Sequence, residues 1–598
     1  MIQKYPKVGT VELRDPFWTP YIENIRRITL PYTFKKIEEA GYVKNFESVA
    51  AKDGAEHHGY HFADGNYLEC IRGACDFLAA EADPILEAYI DHIIEILTAA
   101  SDAEGGFIST ATTQLCPHQR WGDNGGDIVT QHDLYNHGTL VEAAVSHYNA
   151  TGKTTLLRLA VRAADLICDT IGKHPKKNIV PGHSLPEEAF VKLYRLLRDD
   201  PALAEFAARR QEYLDIAEFW YDARGNHEGR FLSKNERFTP PYSQDHAPFA
   251  EQKEAVGHSV RAMLCYLGAT VVAQEKGRAD YMDSLHALWE SVVYKKLHIS
   301  GGIGSRHDIE GFDVNYHLPN TAYLETCAAI GLAFWNTEMA LSDPDAKYFD
   351  CFERSLYNNI LDAIGADFKH FFYQNPLEND GTMRRWEWHK CPCCPPMLLK
   401  IFGALNSFIY SYNEDTLSVH LHIGSRYENE QFSVEQAEGK LILNTKGKPM
   451  TLRIRIPEYA ENFTLSQPYT VEKGYAVLHG VWSAEQPLEV HFEQALRRIY
   501  ANPKVEDDQG KVAVTYGPFV YCVEGNIPTA LAKEPCLRTE NGKVYARTAE
   551  GGEICLIPYY QWCNSEPAPM TVWLPQEEMR PLEELAAEIG EKLYEIYG

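Results

Sequence analysis

The run Trp386-Glu-Trp-His-Lys-Cys391-Pro-Cys393-Cys394-Pro395-Pro396-Met-Leu-Leu-Lys-Ile-Phe402 closes one kind of chain, and Thr416-Leu-Ser-Val-His-Leu-His422 opens another. Pro395 and Pro396 are tolerated in the first turn of a helix, where their missing N–H groups would find no partner anyway, and an apolar run at helical spacing follows them. From Thr416 onward apolar residues alternate with period two in short β-rich segments. The architecture is therefore read as mainly α followed by β, with the change near residue 412.

Backward from Phe402 to about residue 20, helical spacing recurs. Asn66–Ala80, Ala88–Ala99, Thr139–Tyr148, Thr154–Cys168, Glu187–Leu197, Ala202–Ile216, Val256–Val271, Tyr281–Val293, Leu324–Leu341 and Phe349–Ile364 all carry it. Roughly a dozen helices joined by loops rich in Gly, Pro, Asp and His favour an all-α barrel or stacked helical hairpins over an α/β sheet. Forward, Phe432–Gln436, Lys440–Leu443, Thr451–Ile456, Tyr475–Leu478, Leu488–Phe492, Lys511–Tyr516 and Glu553–Ile557 predict one or two β-sandwiches. Pro581–Tyr597 predicts a C-terminal helix packed on them. The expected division is a helical domain over 1–411, a first β-sandwich over 412–500, and a second over 501–598 that includes the helix.

The 598 residues carry a net charge of −27, and no basic block offers a stripe for phosphates, which argues against nucleic acid as a partner. No window is apolar enough for a membrane span, and Met1-Ile-Gln-Lys-Tyr-Pro-Lys lacks the pattern of an export signal, so a cytoplasmic protein is expected. An acidic surface suits a neutral substrate better than a polyanion. Of the 14 cysteines, Cys70, Cys75, Cys168, Cys265, Cys351 and Cys522 stand singly in apolar contexts that suit buried free thiols. Cys391, Cys393 and Cys394 cluster, which packing alone does not require.

Cys393 and Cys394 fall at the start of a helix, where the dipole favours a thiolate. A second segment, Tyr323-Leu-Glu325-Thr-Cys327, can bring Glu325 and Cys327 to one ion if the chain is extended there. Together the four residues give one carboxylate and three sulfurs, a set suited to tetrahedral zinc, either as a closed structural site or as a reactive one. His132, His183 and His258 lie at helix edges, and Glu310 in the Gly-rich segment 301–312. Such groups can converge on one rim of a helical toroid. Trp121, Tyr373, Trp386 and Trp388 are aromatics suited to stacking on a sugar or to the core.

The sequence resembles glycoside hydrolase family 127, the β-L-arabinofuranosidase family, and its relatives. The resemblance runs over most of the chain, through Arg14-Asp-Pro-Phe-Trp18, His132-Asp-Leu-Tyr, Pro181-Gly-His, Val256-Gly-His-Ser-Val-Arg, Gly301-Gly-Ile-Gly-Ser, Leu318-Pro-Asn, Tyr323-Leu-Glu-Thr-Cys, Cys393-Cys-Pro-Pro and Tyr516-Gly-Pro-Phe-Val-Tyr-Cys. It implies an (α/α)6 barrel followed by β-sandwich domains, with zinc on Glu325, Cys327, Cys393 and Cys394. It implies Cys393 as nucleophile, Glu310 as general acid/base, and His132, His183 and His258 as residues of the sugar site, to which the aromatic reading adds Tyr373. The implied activity is retaining exo-hydrolysis of a terminal furanoside, β-L-arabinofuranose, from an oligosaccharide or glycoconjugate, by a homodimer. The chain departs from the family pattern at Met397, where Asn is usual, at Thr139, where His is frequent, and by one residue between Pro319 and Glu325. Three other readings stay open at this point: a related glycosidase for a branched or carboxylated pectic pentose, a metal-free sugar epimerase, and a non-catalytic, zinc-stabilised glycan-binding protein.

Overall fold

The computed structural model describes residues 2–437, 439–578 and 580–594. Six helices, Ala63–Ala80, Asp133–Thr151, Pro186–Asp199, Ser259–Lys276, Thr326–Ser342 and Cys394–Ala404, stand side by side in chain order, and the last closes on the first. Their residues are buried on nearly every side, the pattern of helices enclosed by other helices. A second layer, Pro84–Ala103, Thr155–Thr170, Arg210–Asp222, Ala279–Lys295 and Ala346–Ser355, packs outside them. Thr155–Thr170 is typical: Leu156, Leu159, Ala160, Ala163 and Ile167 face inward at helical spacing while Arg158 faces water. The N-terminal stretch Trp18–Glu39 covers the closing helix Cys394–Ala404. This is the expected (α/α)6 barrel.

Two expectations change in detail. Ala202–Ile216 is not one helix: a 3₁₀ segment, Pro201–Arg209, kinked at Leu203, precedes Arg210–Asp222. The C-terminal helix is Leu582–Ile589, with Leu585 and Ile589 turned into the last sheet's core, and the part of the expected helix beyond Tyr594 lies outside the described residues.

The β part begins with a six-stranded and a five-stranded sheet. In Pro449–Arg455 the inward residues Met450, Leu452 and Ile454 alternate with more exposed neighbours, as one buried face requires. Two short strands join the sheets from the helical part of the chain: Glu12–Leu13 pairs with Ser425–Glu428, and Glu378–Asp380 pairs with Pro569–Thr571 of a nine-stranded sheet. That last sheet grips the barrel rim. The Tyr559 hydroxyl donates to the carbonyl of Asn375 (2.8 Å), whose side-chain amide donates to the carbonyl of Leu324 (2.8 Å) and to Thr326 Oγ1 (3.0 Å). No helix among the described residues is long and apolar enough to cross a membrane.

Candidate active site

The N-termini of all six inner helices open on one cavity of ≈ 550 Å³. Free N–H groups and the positive dipole ends gather there, a setting that favours anions. The residues singled out from sequence stand at these termini. His132, His258, Glu325 and Cys393 are the cap positions of four of the helices, and His183 lies just before a fifth.

At two neighbouring termini the sulfurs meet. Cys327 Sγ is 3.3 Å from Cys393 Sγ and 3.6 Å from Cys394 Sγ; Cys393 Sγ is 3.9 Å from Cys394 Sγ and 3.6 Å from Glu325 Oε1. A disulfide would bring two sulfurs to about 2.05 Å, so these are free thiols. Tetrahedral zinc, with sulfur at about 2.3 Å and oxygen at about 2.0–2.2 Å, separates its ligands by roughly 3.6–3.8 Å, and the observed spacings bracket that value. The second carboxylate oxygen of Glu325 is buried without a hydrogen-bond partner. The cluster therefore fits a soft-ligand cation. The expected extended segment is confined to Glu325 (φ −60°, ψ 133°). Cys327 is already helical, and the two reach one point because the cap residue turns back over the first turn.

Crowding sets the electrostatics. Burial, reinforced by Glu310, raises the Glu325 carboxyl well above the usual range. Burial and the neighbouring sulfurs do the same to the Cys327 thiol. The Cys327 and Cys391 thiols pull Cys393 down, but burial and Cys394 leave it raised overall. Burial opposes ionisation of Cys394 too, yet hydrogen bonds from Cys327 and Cys393 bring it below the ordinary value.

Across the cavity, Glu310 sits in a loop closed by reciprocal backbone bonds between Arg306 and Gly311 (2.9 and 3.1 Å), in the left-handed region at φ +52°. The loop is clamped to the start of helix Ser259–Lys276: the N–H and hydroxyl of Ser259 both donate to the Glu310 carbonyl (3.0 and 2.9 Å). The approach requires glycine on both sides. A Cβ on Gly311 would stand 2.1 Å from the Gly257 carbonyl oxygen, and one on Gly257 (φ +76°) 2.0 Å from that of Pro241. His258 Nε2 is 3.0 Å and Arg237 Nη2 3.1 Å from the carboxylate. Burial alone would raise Glu310, but these two partners outweigh it and hold the carboxyl at about 2.

His132, His183 and His258 form an arc, with ring centroids 5.7 and 6.2 Å apart. Nδ1 of His132 meets the Thr130 carbonyl (2.7 Å) and Nδ1 of His183 that of Ser184 (2.9 Å). A carbonyl only accepts, so each Nδ1 carries the hydrogen and each Nε2 is an acceptor, that of His132 already facing Arg261 Nη2 at 3.4 Å. Burial, then Arg261, lowers His132 to about 3 and takes His183 well below the ordinary histidine value. Tyr373 also lines the cavity, its hydroxyl 3.8 Å from Cys391 Sγ. Trp121, Trp386 and Trp388 are not in the cavity lining: Trp121 packs on Phe107 and His137, and Trp386 stacks on His389 (4.0 Å). Thr139 is buried within its helix and away from the cavity, whereas Met397 lines it. The six single cysteines are buried free thiols, as expected.

Sequence reasoning missed Arg237, Arg261 and Asn66, all in the cavity lining. Arg261 was within reach, one helical turn from His258. Arg237 sits in a polar loop with no periodicity, and Asn66 in a helix with no motif. A larger cavity of ≈ 770 Å³ lies behind Val129, Gly182 and Phe238, but both clusters of potential metal ligands among the described residues fall outside it.

A family model described as "Beta-L-arabinofuranosidase, GH127 catalytic domain" matches residues 10–407, and one described as "Glycoside hydrolase family 127 C-terminal domain" matches residues 496–575. The non-reducing end β-L-arabinofuranosidase of Bifidobacterium longum subsp. longum is 26% identical, over 94% of this chain and 99% of that protein. A solved GH127 β-arabinofuranosidase is similar at 33% identity and TM-score 0.87, covering 96% of this chain and 98% of that one. A GH127 β-L-arabinofuranosidase from Geobacillus stearothermophilus T6 is similar at 29% identity and TM-score 0.86, covering 95% and 100%. The likeness thus takes in helical ring and sheets together.

Proposed function

The chain belongs to glycoside hydrolase family 127, and from that premise we propose that it is a retaining exo-glycosidase releasing terminal β-L-arabinofuranose from an oligosaccharide or glycoconjugate, with Cys393 as nucleophile and Glu310 as acid/base. The observation that carries the reading is that the Cys393 sulfur, within a cluster fit for zinc, and the Glu310 carboxyl open into the same cavity. Cys393 is half-buried and lines that cavity, which favours a reactive site over a closed structural one.

In the first displacement Glu310 gives its proton to the glycosidic oxygen as the C–O bond breaks, and a lone pair of the Cys393 thiolate forms the bond to the anomeric carbon. In the second, water attacks that carbon, its proton passes to the Glu310 carboxylate, and the C–S electron pair returns to Cys393. Two inversions at one carbon retain configuration. Zinc held by Glu325, Cys327, Cys393 and Cys394 supplies, when bound, the positive charge that keeps the sulfur anionic at neutral pH. Glu310 is ionised in the free protein, so it must take up its proton as substrate enters. A glycoside seated against it displaces Arg237, and burial, the largest influence on this carboxyl, then favours the neutral form. His183 offers an acceptor nitrogen to a sugar hydroxyl, His132 one that it shares with Arg261, Tyr373 adds its hydroxyl, and His258 orients Glu310.

The test is hydrolysis of p-nitrophenyl β-L-arabinofuranoside together with metal quantification. Zinc-bearing protein is expected to release nitrophenol with a β-configured first product, and Cys393→Ser to release none while keeping its fold. Zinc-bearing protein that leaves every pentofuranoside intact overturns the reading.

A further inference from the structure

Five of the six inner helices carry, at or just before their N-termini, the site residues singled out from sequence; Ala63–Ala80 carries none of those. Its N-terminal turn instead presents Asn66 to the same cavity. Asn66 is 1% exposed, and neither its Oδ1 nor its Nδ2 has a hydrogen-bond partner among the described residues. Its neighbours differ in that each has at least one partner: Asp64 accepts from the Thr110 N–H (2.6 Å) and hydroxyl (2.7 Å), and Glu69, one turn on, is held through Oε1 by Lys400 at 3.2 Å, although its Oε2 has no partner. Asn66 is the only carboxamide among the residues lining the cavity, and Met397, which shares that lining, cannot donate.

A buried side-chain amide carries two donors and an acceptor, and leaving all of them bare opposes folding unless a ligand meets them. We propose that Asn66 is a specificity-determining residue of the glycone site, donating from Nδ2 to one hydroxyl of the sugar and accepting at Oδ1 from a neighbouring one. The inference rests on reading this cavity as a glycoside site. It completes the ring: each of the six helix N-termini then contributes to one pocket, and the sixth contributes recognition of a diol.

The experiment compares wild type with Asn66→Leu, a near-isosteric change, on p-nitrophenyl β-L-arabinofuranoside and on its 2-deoxy and 3-deoxy analogues. Asn66→Leu should lower kcat/KM on the parent glycoside by about ten- to a hundred-fold. The deficit should vanish on an analogue lacking a contacted hydroxyl. Its Tm should match or exceed that of wild type, because an unserved buried amide is removed; a residue with a merely structural role would lower it. Asn66→Ala gives the same kinetic comparison if the leucine variant fails to fold. Activity within twofold of wild type, or an equal loss on parent and both analogues, overturns the inference. If the wild type hydrolyses no furanoside, the function proposed above fails instead, and Asn66 is judged by calorimetric titration with free L-arabinose: weaker binding by Asn66→Leu upholds the inference, and equal binding overturns it.

Discussion

A single imidazole, that of His258, caps helix Ser259–Lys276 and orients Glu310: its Nδ1 accepts the Val260 N–H at 3.1 Å while its Nε2 lies 3.0 Å from Glu310 Oε2. Because the capping nitrogen accepts, the neutral ring carries its hydrogen on Nε2 and donates it to the carboxylate.

His258→Ala removes both bonds. Loss of the cap should cost about 1 kcal/mol of stability. Loss of the donor should raise the Glu310 pKa and lower kcat/KM by about a hundred-fold. A pH–rate profile checks the pairing: its alkaline limb, which reports the protonated Glu310 that the first displacement needs, should move to higher pH, and an unmoved limb would mean that His258 does not govern this carboxyl.

The clustered thiols differ in access. Cys391 and Cys393 are half-buried, whereas Cys327 and Cys394 are buried. After chelator treatment, iodoacetamide should modify Cys391 and Cys393 before the other two, alongside the exposed Cys536 and Cys555. Zinc restored beforehand should spare Cys393. Peptide mapping by mass spectrometry reads the order, and simultaneous labelling of all four clustered cysteines would contradict it.

Below the cavity floor, Lys400 Nζ lies 3.2 Å from Glu69 and 2.8 Å from Glu142, with all three side chains at most 3% exposed. Lys400→Met leaves two buried carboxylates short of their partner, a loss of about 3–5 kcal/mol. The denaturation midpoint of this variant should fall accordingly, and Glu142→Gln in the same background should recover part of the loss. A Lys400→Met protein as stable as wild type would argue against a stabilising role for the pair.

Acid should weaken the fold through histidines remote from the sulfurs. Burial lowers His137 to about 4, His298 to about 3 and His422 to about 4. On unfolding they regain values near 6.5 and bind protons that the folded protein refuses. Their contribution is complete above about pH 6.5 and is lost as pH falls toward 4. Thermal melts of metal-free protein should decline across that span, and a flat Tm would refute the assignment.

The helical and β halves were legible because burial imprints its own period on each: Leu156, Leu159, Ala163 and Ile167 mark a one-faced helix, and Met450, Leu452 and Ile454 a one-faced strand. Glu325, Cys327, Cys393 and Cys394 stood out because such residue types rarely gather without a shared task. Glu12–Leu13 left no trace, since a two-residue strand is too short to show a period. Asn66, Arg237 and the Lys400 network were silent for another reason. Each gains its meaning from groups brought near by ring closure, such as Glu310 beside Arg237 and Glu142 beside Lys400, and local sequence holds no record of them.

The thread from Tyr559 through Asn375 to Leu324 and Thr326 has a consequence for the boundary of the working unit. The backbone on either side of Glu325 is moored by the Asn375 side chain, and Asn375 in turn by Tyr559 from the C-terminal part. Severing the chain after the barrel would keep the bonds from Asn375 but remove the Tyr559 hydroxyl that steadies it, so the C-terminal part shares in holding the carboxylate in register.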